Sequence, residues 1–426
     1  MAEIRTFKGV FYNKGIVGDF SNVVAPPYDV ISEQDQKNLQ EKSKYNIVRL
    51  ILPQGSINNK YIQASALYNQ WLKDCILVRD IEPSLYIYEQ EYNVKGRPRK
   101  RIGFIALAKI EDFSTGKIKA HERTLKGPKA DRLRLLKACK TNFSQIFSLF
   151  SDPEQKVDEV LRKHTKERPR INIKVDGVTN RLWSLNDSEA VETITGLMQD
   201  KPLFIADGHH RYETAINHRD EMRLFTGDNS GEAPFDYTMM MFVNMDGKGL
   251  TVLPTHRVLK NLPKINHDKF RENLKHIFEI KEFSSIDKTM AELAKNSDSH
   301  AIGMYLGNRT YSLLKVKDEN EVVKLLDGNQ SRSWKLLDVT ILHQVIINRV
   351  LGFGRTNIES SIKFTTNGKE AVQLVTSGEY QMAFFLNPTK ISSVRDIANL
   401  GEVMPQKSTY FYPKLLSGLV LNKLEW

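Results

Sequence analysis

Residues 206–215 read Ala-Asp-Gly-His-His-Arg-Tyr-Glu-Thr-Ala and follow the apolar run Leu203-Phe204-Ile205. The pattern predicts a buried strand over 202–206, a turn over 207–211 and a helix over 212–223. The first N–H groups of such a helix lack internal partners and lie at the positive end of its dipole, so the junction suits an anion. Gly208 lets the backbone approach a ligand closely. His209 and His210 add donors, and Arg211 suits a bidentate phosphate contact. Asp207 can cap the helix or hold Mg²⁺. The plainer alternative is a capped helix whose histidines satisfy backbone groups. Zinc is not expected. A zincin needs two histidines four apart with a glutamate after the first, whereas adjacent histidines on a helix point about 100° apart.

Four other segments carry candidate chemistry. In the stretch from His121 to Arg132, Glu122 can serve as a general base for a hydroxyl, and Lys129 and Arg132 can neutralise phosphate. The alternative is a charged surface loop leading into a helix. His256 and Arg257 repeat the His-Arg pair after Leu253-Pro254-Thr255 and are candidate phosphate ligands. Near the C-terminus, Lys407, Ser408 and Thr409 are donors suited to a phosphate or carboxylate, and Lys414 adds charge; a hydroxyl-rich β-edge would look similar. Tyr28 and Asp29 stand on the rigid turn begun by Pro26-Pro27, which also reads as a structural corner. No P-loop, no Gly-x-Gly-x-x-Gly opening a helix and no Gly-x-Ser-x-Gly elbow occurs.

These segments need elements to hold them. Val23-Val24-Ala25 reads as a strand stopped by the prolines. Ser32 caps a helix with acidic residues in its first turn. Asn46–Leu52 reads as a buried strand interrupted by Arg49. Tyr61–Asp74 reads as a helix with Ile62, Ala66, Leu67 and Trp71 at helical spacing. Ser84–Tyr92 and Ile102–Lys109 read as a hairpin, with the basic run Lys95–Arg101 as its solvated connection. Asp131–Lys140 is helical. Asn172–Lys174 and Arg181–Leu185 form a short antiparallel pair, and Thr238–Asn244 is a buried strand after a polar loop. From Asp268 on, short helices and strands alternate as an α/β lobe, with a boundary near Pro263.

The 426 residues are 40% hydrophobic and 27% charged, which excludes a disordered chain. Sixty-two Lys and Arg against 51 Asp and Glu give a net charge of +11. The basic residues are dispersed, so a nucleic-acid patch is not expected. Cys75 and Cys139 belong to no Cys-x-x-Cys pair and read as core or helix residues of a reducing compartment. No signal peptide and no apolar run near the ~18–20 residues of a membrane span is evident, so the default expectation is a cytoplasmic protein without membrane contact. Oligomeric state is not legible.

Seven separated motifs resemble one family: residues 23–32, 46–50, 121–133, 206–215, 253–257, 337–343 and 404–414 look like the family catalogued as domain of unknown function 1015. The Asp-Gly-His-His-Arg turn is also similar to that of the ParB-like free-serine kinases, and His121-Glu122 is similar to their His-Glu pair. That resemblance implies a mixed α/β fold: a ParB/sulfiredoxin-like nucleotide-binding core with large insertions, plus a C-terminal α/β lobe. Expected boundaries are 1–262, with the core at about 80–260, and 263–426, which contributes the Met-Pro-Gln-Lys-Ser-Thr segment to the site. The implied activity is phosphoryl transfer from ATP or ADP, with Mg²⁺, to a small hydroxyl metabolite, free L-serine above others. Glu122 would take the proton, Asp207 would hold the metal, and His209, His210 and Arg211 would hold phosphates. Lys407, Ser408 and Thr409 would bind the amino-acid carboxylate or a phosphate, and Asp29, beside Tyr28, the substrate's ammonium. The alternative is a ParB-type nucleotide-binding regulator. A metal-dependent hydrolase lacks a carboxylate cluster, and a sulfiredoxin-like oxidoreductase lacks a cysteine near the turn.

Overall fold

The computed structural model describes residues 3–57, 59–122, 124, 126–263, 265–307, 310–353 and 361–425. The chain divides into two compact units of mixed α/β structure. Unit 1 comprises Met1–Ala120, Thr124–Thr251 and Pro413–Trp426; unit 2 comprises His121–Arg123 and Val252–Tyr412. The division therefore falls ahead of the expected Pro263. The C-terminal residues return to unit 1, and a three-residue excursion at 121–123 belongs to unit 2. Arg123 and Leu125, within the 121–133 motif, lie outside the described residues.

Unit 1 is built on a nine-stranded sheet. Its strands are β1 (Ile4–Arg5), β2 (Leu85–Val94), β3 (Arg97–Lys109), β4 (Ile118–Lys119), β5 (Ile146–Phe150), β6 (Ile171–Val175), β7 (Val178–Leu185), β8 (Leu203–Asp207) and β9 (Tyr237–Asn244). The order is β4-β8-β5-β9-β3-β2-β7-β6, with β1 on β3. All eight residues of β9 are buried, as expected of a central strand covered on both faces. Ile87, Phe104, Ile205 and Phe242 of the sheet pack with Leu161, Ile194 and Tyr212 of the helices. Three helices matter for the site: α1 (Lys60–Lys73), α2 (Lys126–Cys139) and α3 (His209–Thr226).

The β2–β3 hairpin forms as expected, closed by a two-residue turn at Lys95-Gly96 with Val94 opposite Arg97. Its basic run is not solvated throughout. Arg97, Arg99 and Lys100 are exposed, but Arg101 is 1% exposed. Arg101 sits opposite Gln90 in the ladder, donates to the Gln90 side chain and to the Pro413 carbonyl, and lies over the Phe147 ring at 4.8 Å.

Several local expectations need correction. Val23-Val24-Ala25 forms no regular strand; Ala25 makes only an isolated bridge to Ser417. Asn46–Leu52 is not a strand but holds a short helix, Val48–Ile51. The buried Asn46 side chain fixes this turn. It accepts from the Val48 N–H at 2.9 Å and donates to the Asn22 and Val24 carbonyls at 2.8 and 3.0 Å. Asn46→Ala should therefore cost about 2–3 kcal/mol, because two carbonyls lose their buried donor; a urea midpoint close to that of the parent chain would refute this. In α1 the buried face is Tyr61, Ala64, Tyr68 and Trp71, while Ile62 is 67% exposed. Ser32 caps its helix as expected, in a capping box with Asp35. Cys139 ends α2 and is buried, with its thiol pushed up to about 12 by burial. Cys75, in the turn after α1, is exposed rather than part of the core.

Unit 2 holds a six-stranded antiparallel sheet: β10 (His256–Leu259), β11 (Phe278–Phe283), β12 (Ala301–Tyr305), β13 (Tyr311–Val316), β14 (Ile362–Thr365) and β15 (Met382–Phe385), in the order β11-β13-β12-β15-β10-β14. Helices cover both faces. Leu342, Val345 and Ile346 pack on Met304, Leu314 and Phe384, while Leu293, Ala371 and Val375 pack on Tyr305, Ala383 and Phe385. The 337–343 motif runs into a π-helical stretch, Ile341–Val350. Among the described residues, no helix is long and apolar enough to cross a membrane.

Candidate functional site

In unit 1 the junction between β8 and α3 is tighter than the sequence suggests. The strand includes Asp207, and the helix begins at His209, so Gly208 alone makes the turn. Its φ is +94°, and no side chain caps the helix. The first N–H groups of α3 thus begin directly beside Gly208. Arg211 is held over this glycine. Its Nη1 donates to Ser144 Oγ at 3.0 Å and to the Gln145 carbonyl at 2.6 Å. Among the described residues its buried Nε has no hydrogen-bond partner. The Nε–Nη2 edge lies so close to Gly208 that a Cβ there would meet Nη2 at 2.8 Å.

Asp207 Oδ2 accepts from Lys414 Nζ at 2.8 Å, a pair contributed by residues 207 positions apart. Burial alone would raise this carboxyl, but Lys414 and Arg211 outweigh it and hold it well below the usual carboxylate range. A depressed carboxylate stabilises the fold above its unfolded value of ~3.9 and loses that contribution as pH falls below it. Lys414→Met should therefore lower stability at pH 7, and the gap to the parent chain should narrow as pH drops below ~3.9. Urea titrations at several pH values measure this, and a gap independent of pH would exclude the pair as its source.

Three residues from three separate motifs meet next to this junction. Tyr28, Arg132 and Arg211 line one cleft of about 60 Å³, whose walls include Ile51, Phe143 and Ser144. That is room for a few water molecules or one phosphate-sized group. The Arg132 guanidinium stacks on the Tyr28 ring at 4.2 Å, donates to the Ile51 carbonyl at 2.7 Å and pairs with Asp131. Burial, with Asp29 beside it, holds the Tyr28 phenol above its ordinary value, so it is a neutral donor. Asp29 itself is exposed. Lys129 is engaged by Glu213 at 2.6 Å, and Glu213 also accepts from Thr124 Oγ1 at 2.7 Å. His209 is buried, whereas His210 is half-buried.

The other sequence candidates lie in unit 2. His121-Glu122 joins the 404–414 segment as a short parallel bridge: Glu122 is opposite Met404, and the Met404 N–H donates to the His121 carbonyl at 2.7 Å. Glu122 Oε1 accepts from the Lys407 N–H at 3.2 Å, and His121 Nε2 lies 3.1 Å from Thr409 Oγ1. Ser408 Oγ turns back to the Pro405 carbonyl. Arg257 stiffens this loop from below. It is 1% exposed and donates to the carbonyls of Thr255, Gln406 and Lys407 and to His343 Nε2. Burial lowers it to about 9, against support from Glu122. His343 is pushed down to about 3 and His256 to about 4, both chiefly by burial. His256 Nδ1 accepts from the Leu386 N–H at 3.3 Å, so this ring carries no charge to offer an anion at pH 7.

Lys414 and Arg101 were the members of the unit 1 neighbourhood hardest to read from sequence. Both surround the segment at Pro413: Arg101 donates to its carbonyl, and Gln90 Nε2 reaches the Lys414 carbonyl at 3.2 Å. The available signal for Arg101 was its register in a hairpin with a two-residue turn, which places it in the strand instead of the loop.

No curated protein matches the chain. Among solved structures, a free serine kinase in complex with AMP is 14% identical at a TM-score of 0.32, covering 69% of this chain and 83% of that one. A conserved hypothetical protein from Pyrococcus furiosus is 15% identical at a TM-score of 0.32, with 70% and 89% covered. SbnI with C-terminal truncation from Staphylococcus aureus is 11% identical at 0.34, with 74% and 85% covered. Likeness of this degree says nothing about what this chain binds. By sequence, however, the model of the family described as protein of unknown function (DUF1015) matches residues 4–340, a span that contains five of the seven motifs and the first four residues of a sixth, and the chain belongs to that family.

Proposed function

We propose that this chain is a phosphotransferase that moves a phosphoryl group from ATP or ADP to the hydroxyl of a small metabolite. Free L-serine, giving O-phosphoserine, is the first candidate. The observation that carries this reading is the Asp207–Arg211 junction. A left-handed glycine, an uncapped helix N-terminus and an arginine edge whose Nε is unpartnered meet beside the Asp207–Lys414 pair. Such a convergence of donors suits a phosphate group. Serine as acceptor comes from the resemblance of the Asp-Gly-His-His-Arg turn to the ParB-like free-serine kinases.

In the proposed reaction the acceptor oxygen bonds to phosphorus as the nucleotide's oxygen–phosphorus bond breaks, and the acceptor hydroxyl passes its proton to a base. Glu122 is the proposed base. His209, His210 and Arg211 are the proposed phosphate ligands, with Lys129 and Arg132 lending charge. Lys407, Ser408 and Thr409 are proposed for the acceptor's carboxylate and Asp29 for its ammonium. Among the described residues no three His, Cys, Asp or Glu side chains gather as a metal cluster. Mg²⁺ that arrives on nucleotide phosphates needs only one or two carboxylates, so Asp207 as a single protein ligand fits it. When bound, the ion would neutralise charge on the phosphates.

The test is phosphorus NMR of the full chain with ATP or ADP, Mg²⁺ and a pool of hydroxyl metabolites that includes L-serine. A new phosphomonoester resonance is expected, and dividing the pool names the acceptor. Intact nucleotide after prolonged incubation with every pool would refute transfer. Arg211→Ala should weaken nucleotide binding by about 10- to 100-fold, the scale of hydrogen bonds to a charged group. Unchanged affinity by calorimetry would move the phosphate site elsewhere.

A further inference from the structure

Unit 2 contains a cavity of about 160 Å³, close to the size that accepts one six-membered ring. Its walls are polar and include Thr255 and Arg257 near the start of β10, Asp298 and His300 ahead of β12, and Lys390 and Ser393 at the start of the helix Ile391–Asn399. Among the described residues, Arg257 is the fixed cation of this wall that has no carboxylate partner. Lys390 is paired with Asp298, and His300 Nδ1 lies 2.9 Å from Asp338. Arg257 has hydrogen bonds only to three carbonyls and an imidazole; Glu122 supports its charge through space. A buried guanidinium among neutral groups gains from a nearby anion. An amine, by contrast, would have to displace Lys390 or His300 from its carboxylate.

Two further donors belong to the same wall. Thr255 is 6% exposed, and its hydroxyl has no hydrogen-bond partner among the described residues. The nine-residue helix Ile391–Asn399 begins with no side-chain cap and no acidic residue in its first turn. Its N-cap Lys390 and third residue Ser393 both line the cavity, so its unpaired N–H groups and positive dipole end border the space. We propose that this cavity binds one small oxyanion, the carboxylate of a short hydroxy acid or inorganic phosphate, through Arg257, the Thr255 hydroxyl and this helix N-terminus. The site goes beyond the proposed phosphoryl transfer, and Ser408, proposed there for the acceptor's carboxylate, also lines this cavity.

Calorimetric titration of the full chain with L-lactate and with inorganic phosphate tests this. Saturable one-to-one binding of at least one probe is expected; the probe that binds tells carboxylate from phosphate. Thr255→Val keeps the side-chain shape and should weaken that binding by about tenfold or more, the loss of one hydrogen bond to a charged ligand. Gly208→Ala, which weakens the phosphate site proposed in unit 1, should leave the Thr255-dependent part of the binding unchanged. Absence of binding by both probes to a chain that unfolds cooperatively would overturn the proposal. So would binding that survives Thr255→Val intact or vanishes with Gly208→Ala.

Discussion

Glu122→Gln is expected to keep nucleotide affinity and lose at least ~100-fold in turnover, the usual contribution of a general base. The substitution is well suited to the question because the loop contact of Glu122 is separable from its proposed role as a base. Its Oε1 accepts the Lys407 N–H at 3.2 Å and so anchors the 404–409 loop. A glutamine carbonyl can accept the same bond, so the loop keeps its anchor. The negative charge and the proton acceptor are what disappear. The loss of charge has a secondary cost, since Glu122 supports the buried Arg257 guanidinium. Thermal unfolding of the variant therefore belongs beside the kinetics. A chain that melts normally, binds nucleotide normally and turns over slowly identifies a proton-transfer role. Turnover near that of the parent would remove Glu122 from the chemistry and leave it as a loop anchor. Equal losses of affinity and turnover would point to a disordered 404–409 loop instead.

What could be read from the residues divides along a physical line. The β8–α3 junction was legible because its signals are local: a short apolar run, a glycine, then a helical pattern. The β2–β3 hairpin and the helix capped by Ser32 were legible for the same reason. Asn46–Leu52 was misread because a seven-residue apolar run fits a strand or a buried helical turn equally well. The three hydrogen bonds of Asn46, invisible in the pattern, decide for the helix. In α1, hydropathy favoured Ile62 as core, but the buried face is set by Tyr61, Tyr68 and Trp71, whose ring areas outweigh one isoleucine. The contacts that assemble the candidate sites are long-range and carry no local signature. Lys414 reaches Asp207 across 207 positions, and His121 reaches Thr409 across 288. The same holds for the assignment of residues 121–123 to unit 2, since three residues cannot announce a change of domain by composition.

Gly208→Ala should reduce nucleotide affinity by about 10- to 100-fold, on the scale of losing Arg211 itself. Two costs combine. At φ +94° an L side chain is strained by roughly 1–2 kcal/mol. In addition, the new Cβ would lie 2.8 Å from Arg211 Nη2 and 3.0 Å from its Nε, so the guanidinium edge nearest the helix N-terminus has to move. Arg211 cannot simply swing aside, because Nη1 is tethered to Ser144 and the Gln145 carbonyl. Displacing that edge forfeits hydrogen bonds to a charged ligand, worth about 1.5–3 kcal/mol each. Gly227 supplies the control. It closes the other end of α3, also left-handed at φ +72°, but a Cβ there would meet nothing within 4 Å. Gly227→Ala should thus lose stability by about 1 kcal/mol through the backbone alone and bind nucleotide as the parent does. Affinity that falls equally in both variants would trace the effect to a weakened α3 and not to the Arg211 edge, and the phosphate site would have to be sought away from Gly208.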